Sequence, residues 1–185
     1  YVSFALSASI IGAMIAPKKI DTIVVYEPSP VTVGIPAIVL RELKNVPMLF
    51  WVQDLWPESL SATGAVRSKW ILDLVKLLVR LIYSRSDHIL VQSEAFTPPI
   101  IGLGVEPERI AYLPNSAEAL YQPVKLDAKA DERRCMPDGF KLMFAGNIGE
   151  AQDFATILEA AALLKDCPDI HFVILGSGRK EAWVQ

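Results

Sequence analysis

Six short apolar runs, each rich in β-branched or aromatic residues and followed by a polar or glycine-rich turn, constrain this chain more than any other feature. They occupy residues 20–26, 48–52, 88–92, 110–113, 141–145 and 171–175. Each is close to continuously hydrophobic instead of alternating, the pattern of a strand buried on both faces of a parallel sheet. Between them, apolar residues recur at helical spacing over 33–44, 69–84, 94–103 and 154–165. Strand–helix alternation of this kind predicts an α/β fold built as a doubly wound parallel sheet.

The pattern breaks once. Residues 114–139 hold Pro114, Pro123, Pro137 and a charged run over 125–134, with few periodic hydrophobics. This predicts a first domain over 1–122, a linker over 123–138 and the start of a second domain over 139–185. So short a β-α-β piece has little apolar surface to bury, so the second domain is expected to be cut short. The first is expected to lack a strand, because it opens with a helical run at 1–16 and without Met. That run is shorter than the ~20 residues of a spanning helix and has no basic residue before it, so it reads as a buried helix packed on the sheet.

Composition excludes several classes. Hydrophobic residues make up 52% of the 185 and the net charge is −3, which argues against disorder and against a basic nucleic-acid binder. Cys135 and Cys167 stand far apart with no partner at ligand spacing, so neither a metal site nor a disulfide framework is signalled. A reducing cytoplasm is the default setting.

In open α/β sheets ligands bind beyond the carboxyl ends of the strands. That rule selects the loops at 27–32, 53–59, 93–95, 114–118, 146–153 and 176–179. Gly146, Asn147 and Gly149 form a glycine-rich turn before a helix, a phosphate-cradle candidate that lacks both the P-loop lysine and the dinucleotide fingerprint. Gly176 and Arg179 close the next strand, and Arg179 offers a forked donor for a diphosphate; its bland alternative is a solvated charge at a helix start. Asp54 and Glu58 follow a buried strand and are suited to orienting hydroxyls or moving a proton, while Trp56 is suited to stacking on a sugar. Asp54 is equally well placed to cap a helix, with Pro57 in its first turn and Trp56 in the core. Glu94 reads first as a cap and second as a ligand contact. His88 and His171, at strand starts, read as packing residues. A helix over 67–85 carries Arg67, Lys69, Lys76, Arg80 and Arg85 against Asp73 alone. Its two readings are a core helix with a solvated basic face and a helix lying on an anionic membrane surface.

The segments DTIVVYEPSPVTVGIPA, FWVQDLWPES, RSDHILVQSEAF, ERIAYLPNSAE and MFAGNIGEAQDFATILEAAALLK resemble family 4 glycosyltransferases, over nearly the whole chain from Ile20 onward. The similarity is closest to the bacterial branch that builds O-antigen, capsule and exopolysaccharide, including N-acetylfucosamine transferases. The resemblance implies a GT-B architecture of two Rossmann-like domains, the first binding a glycan or lipid-linked acceptor and the second a nucleotide-sugar donor, UDP-linked in this branch. It implies retention of configuration, no metal and no cofactor beyond the substrate. Acceptor-side residues would be Glu27, Trp56 and Glu94, and catalytic ones Gln53, Asp54 and Glu58. Donor contacts would come from Gly146, Asn147, Gly149, Gln152, Gly176 and Arg179. Many relatives carry Arg and Lys at the positions of Asn147 and Gln152, and His at that of Gln53. These departures leave the acid/base residue open and place more of the diphosphate contact on Asn147 and Arg179.

The resemblance also implies missing segments at both ends, so the chain itself is expected to be inactive. It would act in the cytoplasm, at the inner face of the cell membrane, and exposed half-domain edges would favour a homo-oligomer. Competing readings are a sugar-nucleotide epimerase and a non-catalytic interaction module. Dehydrogenase chemistry fits worst, because the dinucleotide fingerprint is absent.

Overall fold

The computed structural model describes residues 2–62, 64, 66–125 and 136–184. Cys135 and most of the expected linker, including its charged run beyond Lys125, lie outside the described residues. The chain divides into two compact units, Tyr1–Ala117 and Glu118–Gln185.

The first unit runs α1 (Val2–Ile15), β1 (Ile23–Glu27), α2 (Gly34–Lys44), β2 (Met48–Val52), α3 (Glu58–Ala62), α4 (Lys69–Arg85), β3 (His88–Val91), α5 (Thr97–Gly102) and β4 (Ile110–Tyr112). Its four strands pair in parallel in the order β1-β2-β3-β4. Right-handed crossovers in a sheet whose order never reverses bring every connecting helix to the same face. That face is dry: Val25, Met48, Phe50, Val52, Ile89 and Val91 meet Ala37 of α2, Val79, Ile82 and Tyr83 of α4, and Ile100 of α5 in one buried cluster.

The opposite face corrects the expectation of strands buried on both sides. Val24 and Tyr26 are each more than half exposed, and Trp51 and Leu90 are only partly covered. Among the described residues no layer packs on this face, so a continuous apolar run here marks composition and not two-sided burial. His88 stands on it and is exposed, which replaces the packing role read from the sequence. The opening run is also corrected. It is helical, as α1, but it packs on α2 instead of the sheet, and only Ala5 is buried. The expected helix over 94–103 splits into a 3-10 turn, Glu94–Phe96, and α5. Pro98 and Pro99 lack the N–H that a continuous helix would need there, and are tolerated only in a first turn.

Two polar anchors join these elements. Asp87 accepts from the Met48 N–H at 2.7 Å and from the Arg41 guanidinium at 3.3 Å through both Nε and Nη2, tying the start of β3 to β2 and α2. Burial alone would raise the Asp87 carboxyl, but the Met48 N–H and Arg41 outweigh it and hold it below its ordinary value. Arg109 donates to the Ser86 carbonyl and, at 2.9 Å, to the Tyr83 carbonyl, which also accepts from the Ser86 N–H at the end of α4.

The second unit pairs β5 (Phe140–Ala145) with β6 (Ile170–Leu175) in parallel, joined by α6 (Phe154–Leu163) and followed by α7 (Glu181–Val184). Phe154 and Ile148 are its buried hydrophobics among the described residues, while Phe140 and Met143 are more than half exposed. The Phe154 ring meets Phe144 edge-on at 5.0 Å.

Asp87→Ala leaves the Met48 N–H without its acceptor and Arg41 without its fork. Stability of the first unit is expected to fall by about 1–3 kcal/mol. Urea unfolding should show a lower midpoint with an unchanged slope, and an unaltered midpoint would refute the anchor role.

Candidate functional site

In the first unit, the ends of all four strands carry polar residues connected through Gln53. The Gln53 N–H, directly after β2, donates to the Glu27 carbonyl at the end of β1 at 3.2 Å. Gln92 after β3 donates from Nε2 to the Gln53 carbonyl at 3.4 Å, and Asn115 after β4 donates from Nδ2 to Gln53 Oε1 at 2.6 Å. Trp51 Nε1 reaches the Leu113 carbonyl at 3.0 Å and holds the last of these loops against β2.

Glu27 is the outlier of the site. In-register pairing sets it beside Val52, which lies beside Val91, so it occupies the row where the neighbouring strands place valines. It is 1% exposed. Burial pushes its carboxyl up to about 8; the charge of Asp54 pushes the same way, and the backbone N–H groups of Asp54 and Gln53 pull back only in part. The buried Tyr83 phenol is raised as well, by burial first and then by the charges of Glu27 and Glu58. Four buried polar atoms have no hydrogen-bond partner among the described residues: Glu27 Oε1, Thr32 Oγ1, Gln53 Nε2 and Trp56 Nε1. Such atoms are rare in folded proteins and costly, so four at the ends of β1 and β2 single this place out as a candidate site.

The other sequence-predicted residues separate. The Asp54 carboxylate is occupied by the Ser59 hydroxyl, itself 2.6 Å from the Leu55 carbonyl. Trp56 is partly buried against the core, and Glu58 and Glu94 are exposed. Ser93, not Glu94, caps the turn after β3, its hydroxyl accepting from the Ala95 N–H at 3.3 Å. Thr32, Gln92 and Asn115 were not singled out in the sequence. Their signal was position alone, at or beyond the carboxyl end of an apolar run.

The second unit brings the loops after β5 and β6 together, backbone against backbone. Gly146 N–H donates to the Leu175 carbonyl at 2.9 Å and Ile148 N–H to that of Ser177 at 2.9 Å. Gly176 has φ +149°, and a Cβ there would overlap the Gly146 carbonyl. A Cβ at Gly178 would overlap that of Ile148. Gln152 Oε1 accepts the Gly149 N–H at 3.1 Å. Three N–H groups of the expected phosphate cradle are therefore engaged within the protein, while the Asn147 and Arg179 side chains stay exposed. Lys180 pairs with Glu150 at 2.9 Å. No group of three His, Cys, Asp or Glu able to hold a metal occurs among the described residues.

The helix α4 buries Val79, Ile82 and Tyr83 but exposes Trp70, Leu74, Leu77 and Leu81 along one stripe. The stripe borders an apolar groove of about 580 Å³ and is flanked by Lys69, Lys76, Arg80 and Arg85. The outward surface of this helix is thus apolar as well as basic, beyond the solvated basic face of the plainer sequence reading. No described helix is long and apolar enough to cross a membrane.

A one-directional parallel sheet with its polar groups gathered at the carboxyl ends is the arrangement of a Rossmann-like domain that binds a ligand beyond its strand ends. Residues 3–116 match the Glycosyl transferase 4-like domain, and the chain belongs to that family. It is also similar to WcaI of Escherichia coli (strain K12), a protein named, provisionally, as a colanic acid biosynthesis glycosyl transferase. The identity is 30% over 151 residues, 77% of this chain; the match spans 37% of WcaI.

Two outcomes follow from this geometry. Glu27 holds its proton to about 8 when folded and ionises near 4.5 when free, so the unfolded chain loses the proton first. Its share of stability is full below that lower value and is lost as pH rises to about 8. Glu27→Gln should cancel this decline, overtaking the native chain near pH 8 in urea titrations at stepped pH; parallel curves would refute a buried neutral acid. Gly176→Ala should cost about 1–3 kcal/mol in backbone strain. Faster amide exchange at Gly146 and Ile148 would report it, and unchanged protection would refute the backbone contact.

Proposed function

We propose that this chain is part of an enzyme that moves a sugar from a UDP-linked donor, with retention, onto a lipid-linked glycan in O-antigen or capsule synthesis at the inner face of the cell membrane. The observation that carries the reading is the polar row across Glu27, Gln53, Gln92 and Asn115, at the strand ends of a member of the glycosyl transferase 4-like family. Transfer to a glycan agrees with the colanic acid role in the name of WcaI.

In this reading Glu27, Trp56 and Glu94 lie on the acceptor side, and Gln53, Asp54 and Glu58 act near the transferred sugar. Asp54, held by Ser59, is oriented more than it is free to take a proton. Gly146, Gly149 and Gly176 let the donor approach the backbone, and Gln152 braces that loop through the Gly149 N–H. Asn147 and Arg179 supply the exposed polar contacts to the diphosphate. The apolar stripe and basic flanks of α4 fit an anionic lipid surface, with Trp70 at the headgroup level.

Calorimetric titration with uridine diphosphate tests the donor site. Arg179→Ala should weaken binding by about 1.5–3 kcal/mol, the size of a charged hydrogen bond left unmade. Unchanged affinity would remove Arg179 from it. Cosedimentation with vesicles tests the surface: binding should require anionic lipid and be lost in Trp70→Ser/Leu77→Ser, while equal binding to neutral vesicles would refute charge-assisted docking.

A further inference from the structure

At the amino ends of the strands, opposite the edge that carries Glu27 and Gln53, α4 and the turn after α5 enclose a second cleft. It measures about 350 Å³, with Leu77, Arg80 and Leu81 of α4 on one side and Leu103, Gly104 and Arg109 on the other. Leu77 and Leu81 also line the apolar groove on the outer surface of α4, so cleft and groove adjoin. Both arginines are held at one nitrogen and open at another. Arg80 Nε donates to the Leu103 carbonyl at 3.3 Å, and its two terminal nitrogens have no partner among the described residues. Arg109 is bound through Nε to the Asp87 carbonyl at 3.4 Å and through Nη2 to those of Tyr83 and Ser86; among the described residues its Nη1 has no partner. No described Asp or Glu lines the cleft or the groove. Glu106 and Glu108, on the same loop as Arg109, are exposed outside the lining. The Asp87 carboxylate, on which Arg109 acts, is taken up by Arg41 and the Met48 N–H.

We infer that this cleft binds a single anionic phospholipid, its phosphate between Arg80 and Arg109 and an acyl chain along Leu74, Leu77 and Leu81. The inference rests on the membrane-surface reading of α4 above and adds a discrete lipid site at the amino ends of the strands. A groove of leucines alone names no occupant. Joined to two guanidinium groups without a carboxylate between them, it fits a molecule with phosphate at one end and hydrocarbon at the other. Free phosphate would leave the leucines uncovered, and a choline headgroup would bring a third cation beside the two arginines. Diffuse attraction to a charged surface draws on every cation of the helix about equally. A site depends instead on Arg80, whose planar fork holds phosphate oxygens in a fixed geometry, and not on Lys69 at the far end of α4.

The test titrates a short-chain phosphatidic acid, kept below the concentration at which it forms micelles, into the full chain. Nitrogen-edited NMR follows the Gly104 and Val105 amides and the Arg80 Nε–H. These signals should shift to saturation, and Arg80→Gln should weaken binding about tenfold while Lys69→Gln leaves it unchanged. Inorganic phosphate and a short-chain phosphatidylcholine should each bind more weakly than the phosphatidic acid. Equal binding of either, or equal loss in Arg80→Gln and Lys69→Gln, would overturn the inference. The ranking of the three probes on the native chain decides this if Arg80→Gln does not fold. Cosedimentation with anionic vesicles, measured separately, distinguishes the two readings. A chain that sediments with vesicles but shows no saturable shift lacks the lipid site and keeps the surface, whereas a chain that does neither has lost both.

Discussion

The parallel, in-register pairing of β1 with β2, from Ile23 beside Met48 to Glu27 beside Val52, is the constraint on which the first unit depends. Because β3 and β4 extend the sheet in the same direction, all connecting helices collect on one face and all strand ends point to one edge. The first consequence supplies the core of Phe50, Ile82, Tyr83 and Ile89. The second brings Glu27, Gln53, Gln92 and Asn115 side by side although they are spread over most of the unit. Neither would survive a one-residue slip of β1, which would turn Glu27 to the open face and Val25 with it.

The elements were legible because their signals are local. Met48–Val52 is a strand from its own composition, and the glycine-rich turn after β5 announces a loop before α6. What was not legible depends on what covers each surface. The continuous hydrophobicity of β1 and β2 looks the same whether one face is buried or two, so Val24, Tyr26 and His88 were placed in the wrong surroundings. The same ambiguity misplaced α1, whose apolar residues surround the helix and therefore point to no single neighbour. At the site, Gln53 and Glu27 could be chosen from their positions after strands. Asn115 and Thr32 could not, because their contacts and orphaned atoms exist only once the sheet has been assembled.

Glu27 shows how a family fold accommodates a group that folding alone would reject. A carboxyl in a row of valines destabilises the domain unless it keeps its proton, and its partners here, two backbone N–H groups, satisfy it only in part. The surrounding core is well buried, with Phe50, Val52, Ile82 and Ile89 fully enclosed, and so tolerates one such residue. Departures of this kind from local consistency gather where a protein acts.

The backbone-to-backbone contact between the loops after β5 and β6 has a consequence for how such domains diversify. Gly176 and Gly178 cannot gain side chains without moving the Gly146 and Ile148 carbonyls, so the loop framework is closed to change. Arg179 is exposed beside that fixed framework, whereas the Asn147 amide lies against Gly149 and Gly178. Evolution can therefore exchange the residue at position 179 like an interchangeable fitting while the shape of the loops is inherited intact.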